Sequence, residues 1–195
     1  MSALAGLADP VLDSQRIFRG VLDAMAHPGR IVDLPEPRQS PAALCPATTS
    51  ICLTLVDLDT PIWLDAGART PEAIDYLRFH CGCPVATEPG AARFAVVGEP
   101  WRMPALDLFD AGTDEYPDRS ATVIVQVESL VGGGGARLTG PGIDGEARLE
   151  AVGLPASFWD ALERNGGRFP RGVDVILAAR HAITALPRST RARAH

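Results

Sequence analysis

Phe169-Pro-Arg-Gly-Val-Asp-Val-Ile-Leu-Ala-Ala-Arg-His-Ala-Ile-Thr-Ala-Leu-Pro-Arg188 decides how the chain is read. Val173 to Ala179 is apolar and rich in β-branched residues, follows a Pro and a Gly, and reads as a buried central strand. Ile183 to Leu186 then pairs back on it as a hairpin. Asp174 stands where the strand leaves its loop, and a carboxylate so placed needs a partner. Arg171, Arg180 and Arg188 are the nearby cations. From Arg168 to the C-terminus there are six arginines and one acid, Asp174, whereas the preceding 167 residues hold twelve arginines and 23 acids. That asymmetry points to an anionic ligand or an acidic partner surface. Arg191 and Arg193 read as a solvated basic tail.

Working outward, 195 residues at 46% apolar and 22% charged content suit one ordinary globular domain. Its core covers about residues 14–190, between a short N-terminal tail and the basic C-terminal one. No run approaches the roughly 18 apolar residues of a membrane helix. The N-terminus has no basic region of a secretory signal, so a cytoplasmic protein is expected. Net charge −6 with 6% aromatics gives no nucleic-acid footprint. All 18 basic residues are arginine. Without lysine, neither a Walker phosphate loop nor a Schiff base to pyridoxal phosphate can form. The four cysteines, Cys45, Cys52, Cys81 and Cys83, lack disulfide or zinc spacing, so buried thiols and no metal are expected.

Asp13 is placed as N-cap of a first helix with Phe18, Val21, Leu22 and Met25 inward, stopped by His27-Pro28-Gly29-Arg30. Short strands are expected at Ile31–Leu34 and Thr60–Leu64. From Pro46, an allowed first helical residue, Ala47 to Val56 fits a buried helix or a strand. Thr70-Pro71-Glu72 starts a helix that Gly82 ends. Arg93–Val97 and Ser120–Val127 are strands, the second covered on both faces. Gly132–Gly135 reads as a flexible hairpin loop rather than a phosphate cradle. Pro155–Asn165 is the last helix. The sum is an α/β chain with one mixed sheet of roughly seven strands, flanked by helices.

The chemistry-bearing candidates are few. Arg119 and Tyr116, in the loop Asp114–Ser120, suit an anion by guanidinium fork and hydroxyl donor; a plain turn with Arg119 paired to Asp118 or Glu115 fits as well. His27 and Arg30 occupy the turn after the first helix, where the helix dipole alone accounts for the histidine. There is no Gly-x-Ser-x-Gly elbow and no Gly-x-Gly-x-x-Gly after a strand.

Seven stretches, in register over about residues 16 to 190, resemble the PhnH subunit family of the bacterial carbon–phosphorus (C–P) lyase system. They are Phe18-Arg19…Ala24-Met25-Ala26-His27-Pro28-Gly29-Arg30, Leu55-Val56-Asp57…Thr60-Pro61-Ile62-Trp63-Leu64, Tyr76-Leu77-Arg78-Phe79-His80, Gly112-Thr113…Tyr116-Pro117-Asp118-Arg119-Ser120-Ala121-Thr122, Leu138-Thr139-Gly140-Pro141-Gly142-Ile143, Phe169–Asp174 and Leu186–Thr190. The four glycines and Cys81-Gly82-Cys83 are local departures. The resemblance implies a fold similar to the large domain of pyridoxal-phosphate-dependent transferases, without that cofactor. It implies a homodimer in isolation and a place in a core complex with the PhnG, PhnI and PhnJ subunits. That complex attaches an alkylphosphonate to the ribose C1′ of a nucleoside triphosphate, before a radical subunit cleaves the C–P bond. Within it the chain is expected to be a structural and assembly subunit, not catalytic alone. The alternative is a direct binder of triphosphate or phosphonate through Arg30, Tyr116, Arg119, Arg171 and Arg188, with His27 or Asp174 handling protons.

Overall fold

In the computed structural model, which describes residues 5–194, the chain runs α1 (Pro10–Ala26), β1 (Val32–Asp33), α2 (Pro46–Leu55), β2 (Ile62–Leu64), α3 (Pro71–Cys81) and β3 (Phe94–Val97). It continues through β4 (Thr122–Gln126), β5 (Ser129–Thr139), β6 (Ala147–Val152), α4 (Phe158–Gly166), β7 (Asp174–Ala179), β8 (Ala182–Leu186) and β9 (Arg191–Ala194). Short 3-10 turns fall between these elements. Six strands form one sheet in the order β1-β8-β7-β4-β3-β2. Strands β2, β3, β4 and β7 are parallel; β8 runs antiparallel to β7, and β1 antiparallel to β8.

The decisive stretch folds as its pattern predicts. Along β7, Ile176 and Ala178 face a core shared with Ile17 and Val21 of α1 and Ile51 of α2, while Val175 and Leu177 face Leu138, Leu149, Phe158 and Leu162. Period-two alternation with both faces covered is the reason no polar residue interrupts the run after Asp174. Ala179 pairs with Ala182 across a two-residue turn, Arg180-His181, in which Arg180 is left-handed at φ 48°.

The expected single mixed sheet is instead two. Strands β6, β5 and β9 form a separate antiparallel sheet, in that order, and pack with α4 against the face of the main sheet opposite α1 and α2. Two readings change with it. The four glycines are inside β5, not in a loop: the ladder with β6 shifts register between Ser129 and Gly134, and Gly132 and Gly133 stand at φ 80° and 85°. A Cβ on Gly133 would sit 2.7 Å from the Ala151 carbonyl oxygen, so this bulge requires glycine there. Arg191 and Arg193 belong to β9, hydrogen-bonded along β5 with exposed side chains, rather than to a tail. Glu163 of α4 fastens that strand by accepting from the Ala192 N–H at 3.0 Å.

Helix α1 also corrects the expectation. Asp9 is its N-cap, accepting from the Val11 and Leu12 N–H groups at 3.1 and 3.0 Å, and Asp13 lies inside, buried, accepting from the Asp9 N–H at 2.9 Å. The buried row is Ile17, Val21 and Ala24, so Phe18 and Leu22 point to solvent. Helix α3 starts on the Thr70 cap and ends at left-handed Gly82, as read, and Pro46 begins a helix, not a strand. No helix among the described residues is long and apolar enough to cross a membrane.

Candidate functional site

Five of the seven stretches quoted above meet at one place, the edge of the main sheet where the parallel strands begin. Asp174 opens β7 there, in register with Thr122 at the start of β4. A groove of about 490 Å³ runs along this edge, lined by Met25-Ala26, Pro117-Asp118, Pro141-Gly142, Phe169-Pro170, Asp174 and Pro187-Arg188-Ser189. Backbone contact brings the pieces together. Gly142 is left-handed at φ 82° and a Cβ there would lie 2.0 Å from the Ala26 carbonyl oxygen. Only glycine lets the β5–β6 connection sit against the end of α1.

At the groove's base stands one ion pair. Asp174 Oδ1 accepts from the Arg188 backbone N–H at 2.8 Å and from Nε at 3.1 Å, and Oδ2 accepts from Nη2 at 2.5 Å. Arg188 Nη1 donates to the Pro117 carbonyl. Both side chains are only 14% exposed. The planar guanidinium is thus filled by a bidentate carboxylate and one carbonyl. Of the three cations considered for Asp174, the hairpin selects Arg188, because the Val175–Leu186 pairing places residue 188 beside the start of β7. Arg180 is at the far end, in the turn.

The other predicted residues are engaged separately around the rim. Arg171 Nε meets Asp114 at 3.2 Å in an exposed pair. Arg119 lies over the Tyr116 ring, 4.2 Å from its centroid, instead of pairing with Asp118 or Glu115. Arg30 Nη1 and His27 Nδ1 converge on Asp23 Oδ1 at 3.0 and 2.9 Å. Only Asp174 and Arg188 of the predicted set line the groove. Sequence reasoning did not single out Met25, Pro141, Gly142, Phe169 or Pro187, although each lies in a quoted stretch; four of the groove's residues are prolines, whose fixed φ makes a rigid wall. Chemically the groove presents a stiff, largely apolar surface around a self-satisfied ion pair, with Asp118 as a further acid.

The thiols gather elsewhere, around α2 and α3. Cys81 and Cys83 share a hydrogen bond that pushes the Cys81 thiol up and holds Cys83 below its ordinary range, and burial pushes Cys52 up. Cys81 Sγ also reaches the Cys52 carbonyl at 3.5 Å. Among the described residues no group of three or more His, Cys, Asp or Glu is placed to hold a metal ion.

Comparison with known proteins meets this geometry. Residues 5–193 match the model of the PhnH family, described as bacterial phosphonate metabolism protein. The chain is 41% identical over 184 residues to the alpha-D-ribose 1-methylphosphonate 5-triphosphate synthase subunit PhnH of Rhizobium meliloti, covering 94% of this chain and 92% of that one. It is 30% identical over 176 residues to the "Putative C-P lyase subunit protein HtxG" of Stutzerimonas stutzeri, covering 90% of this chain and 84% of that protein. With nearly its whole length matched, this chain belongs to the PhnH family of bacterial phosphonate metabolism proteins.

Proposed function

We propose that this chain is the PhnH-type subunit of a carbon–phosphorus lyase core complex, required where an alkylphosphonate is joined to the ribose C1′ of a nucleoside triphosphate, and that its part is structural. The family match and the two named relatives carry the first half. The second half rests on one observation: Arg188, the one candidate arginine lining the groove, has its fork filled by Asp174 and Pro117, while Arg171, Arg30 and Arg119 lie outside that lining, each on a different partner, Asp114, Asp23 and the Tyr116 ring. A site built to take a triphosphate keeps its guanidinium forks free, and transfer chemistry needs a nucleophile and base that geometry assembles. The groove provides neither. On this reading the chain is cytoplasmic, a homodimer alone, and docks onto PhnG, PhnI and PhnJ without a cofactor of its own.

An apolar stripe left open on α1 supports membership of an assembly. Val11, Phe18 and Leu22 are 77%, 46% and 51% exposed at helical spacing. The test is co-expression with the three partner subunits and a tag on this chain. A large stable assembly, whose base release from a nucleoside triphosphate survives Arg30→Ala, Arg119→Ala and Arg171→Ala in those preparations that assemble, supports the structural role. Normal assembly with base release abolished by these substitutions would make the chain part of the active site.

A further inference from the structure

The exit of α3 sets two thiols against each other. Cys81 is the last residue of the helix, and Gly82 caps it in the left-handed region at φ 67°. Cys83 then opens the segment in which Pro84 and Ala86 hydrogen-bond to Ile62 of β2. Left-handed backbone is the mirror image of helical backbone, so the Cα atoms of Cys81 and Cys83 stand about 5.5 Å apart, within the span of a disulfide. Cys81 donates a hydrogen bond to Cys83, keeps its own proton and holds the Cys83 thiol below its ordinary range; nearby Arg78 adds to this. Cys81 is half-buried and Cys83 is 2% exposed, so the pair meets solvent through Cys81. Core packing is a full account of Cys52, which is wholly buried. It does not account for one thiol donating to another at a helix end that reaches the surface.

We propose that Cys81 and Cys83 are a redox site that closes to a reversible intrachain disulfide on reaction with hydrogen peroxide. The Cys83 thiolate attacks one peroxide oxygen and the O–O bond breaks. Cys83 becomes a sulfenic acid, and the departing hydroxide takes up a proton as water. The Cys81 sulfur then attacks the Cys83 sulfur, the S–O bond breaks, and the second hydroxide leaves with the Cys81 proton. Two thiols and one peroxide give one disulfide and two waters, the two sulfurs losing the two electrons that peroxide gains. A disulfide donates no hydrogen bond, so closure frees the carbonyls of Cys52 and Leu77, which the thiols reach at 3.5 and 3.8 Å. Leu58 lies against Gly82 and Phe79 precedes the pair, both exposed, so the change falls beside an open apolar patch. The site is independent of the assembly reading, which is judged by co-purification, whereas this one is judged on the chain alone.

The reduced chain is treated with a small molar excess of hydrogen peroxide, alkylated under denaturing conditions and digested with trypsin. Cleavage after Arg78 and Arg93 puts both cysteines, and no other, on the peptide Phe79–Arg93. The expected result is that this peptide loses two hydrogen atoms in mass and escapes alkylation, that dithiothreitol restores it, and that Cys45 and Cys52 are still alkylated. Cys81→Ser should leave a sulfenic acid on Cys83 that dimedone traps. Cys83→Ser should slow oxidation of the peptide at least about tenfold, since only the protonated thiol remains. The peptide map of the parent chain decides the matter even where a variant fails to fold. A Phe79–Arg93 peptide that stays reduced, a bridge between chains, or oxidation that dithiothreitol does not reverse overturns the proposal.

Discussion

Asp174 and Arg188 are worth more as a pair than either is alone. Each is 14% exposed, and removing one partner leaves the other charge desolvated and unpaired. Arg188→Ala should lower unfolding free energy by roughly 3 kcal/mol, whereas Asp174→Leu with Arg188→Met should cost clearly less than the sum of the single changes. Urea denaturation of the parent, the three single variants and the double variant measures both. Tyr76 offers a separate check. It is 4% exposed, donates to the Gln39 carbonyl at 3.2 Å, and burial, reinforced by Cys81 and Cys52, pushes its hydroxyl up to about 12. The unfolded chain gives up this proton near pH 10 while the folded one holds it, so stability is full below about pH 10 and falls as pH rises towards 12. Tyr76→Phe should remove that part of the alkaline decline, seen in thermal melts across the range. At this scale the sequence showed that Asp174 needed a cation but not which one. Arg171, Arg180 and Arg188 are all close along the chain, and only the two-residue turn, which sets the hairpin register, separates them. The pairing of Arg119 with a ring rather than an acid had no sequence signal, because Asp118, Glu115 and Tyr116 are equally near.

Elements were legible where a cap or an alternation fixed their phase. Helix α3 has both ends written in Thr70-Pro71 and Gly82, and β7 has a run that only two-sided burial explains. Helix α1 was half right: Val21 is buried and Met25 packs partly buried against the core, as expected, but Ile17 and Ala24 take the inward places given to Phe18 and Leu22, because two apolar rows run side by side along the helix and tertiary packing on β8 and α2 makes the choice. The outward row predicts that Phe18→Gln with Leu22→Gln leaves the chain's melting temperature nearly unchanged while reducing the assembly recovered on a tag. In β5 the glycines were misread because consecutive glycines carry no side-chain alternation to reveal a strand. Gly133→Ala should destabilise by more than about 1 kcal/mol, since it adds a left-handed penalty to a backbone clash. Gly134→Ala, with open space around it and no positive φ, should be neutral to slightly stabilising. Chemical denaturation of the two variants side by side distinguishes a built bulge from a loose loop.

For the whole molecule, the α/β class and the order of elements could be read from the chain, but the division into two sheets could not. It depends on β5 pairing with β6 and β9 and with no strand of the main sheet, and β9 comes from the last described residues of the chain. The groove was half legible: its pieces were in view as separate stretches, and long-range pairing of Gly142 with Ala26 and of Arg188 with Pro117 made them one surface. Exposed pairs such as Arg171–Asp114 contribute little to stability, so Arg171→Ala should leave unfolding within about 0.5 kcal/mol of the parent while lowering the yield of assembly more than any ligand affinity. The most direct measurement of the central claim is tagged co-expression with PhnG, PhnI and PhnJ, sized by chromatography and mass, with base release from a nucleoside triphosphate assayed on the product. The account predicts a stable multi-subunit assembly whose base release persists when the groove-rim arginines are replaced. An assembly that forms normally but loses base release with those replacements, or no assembly at all, would contradict it.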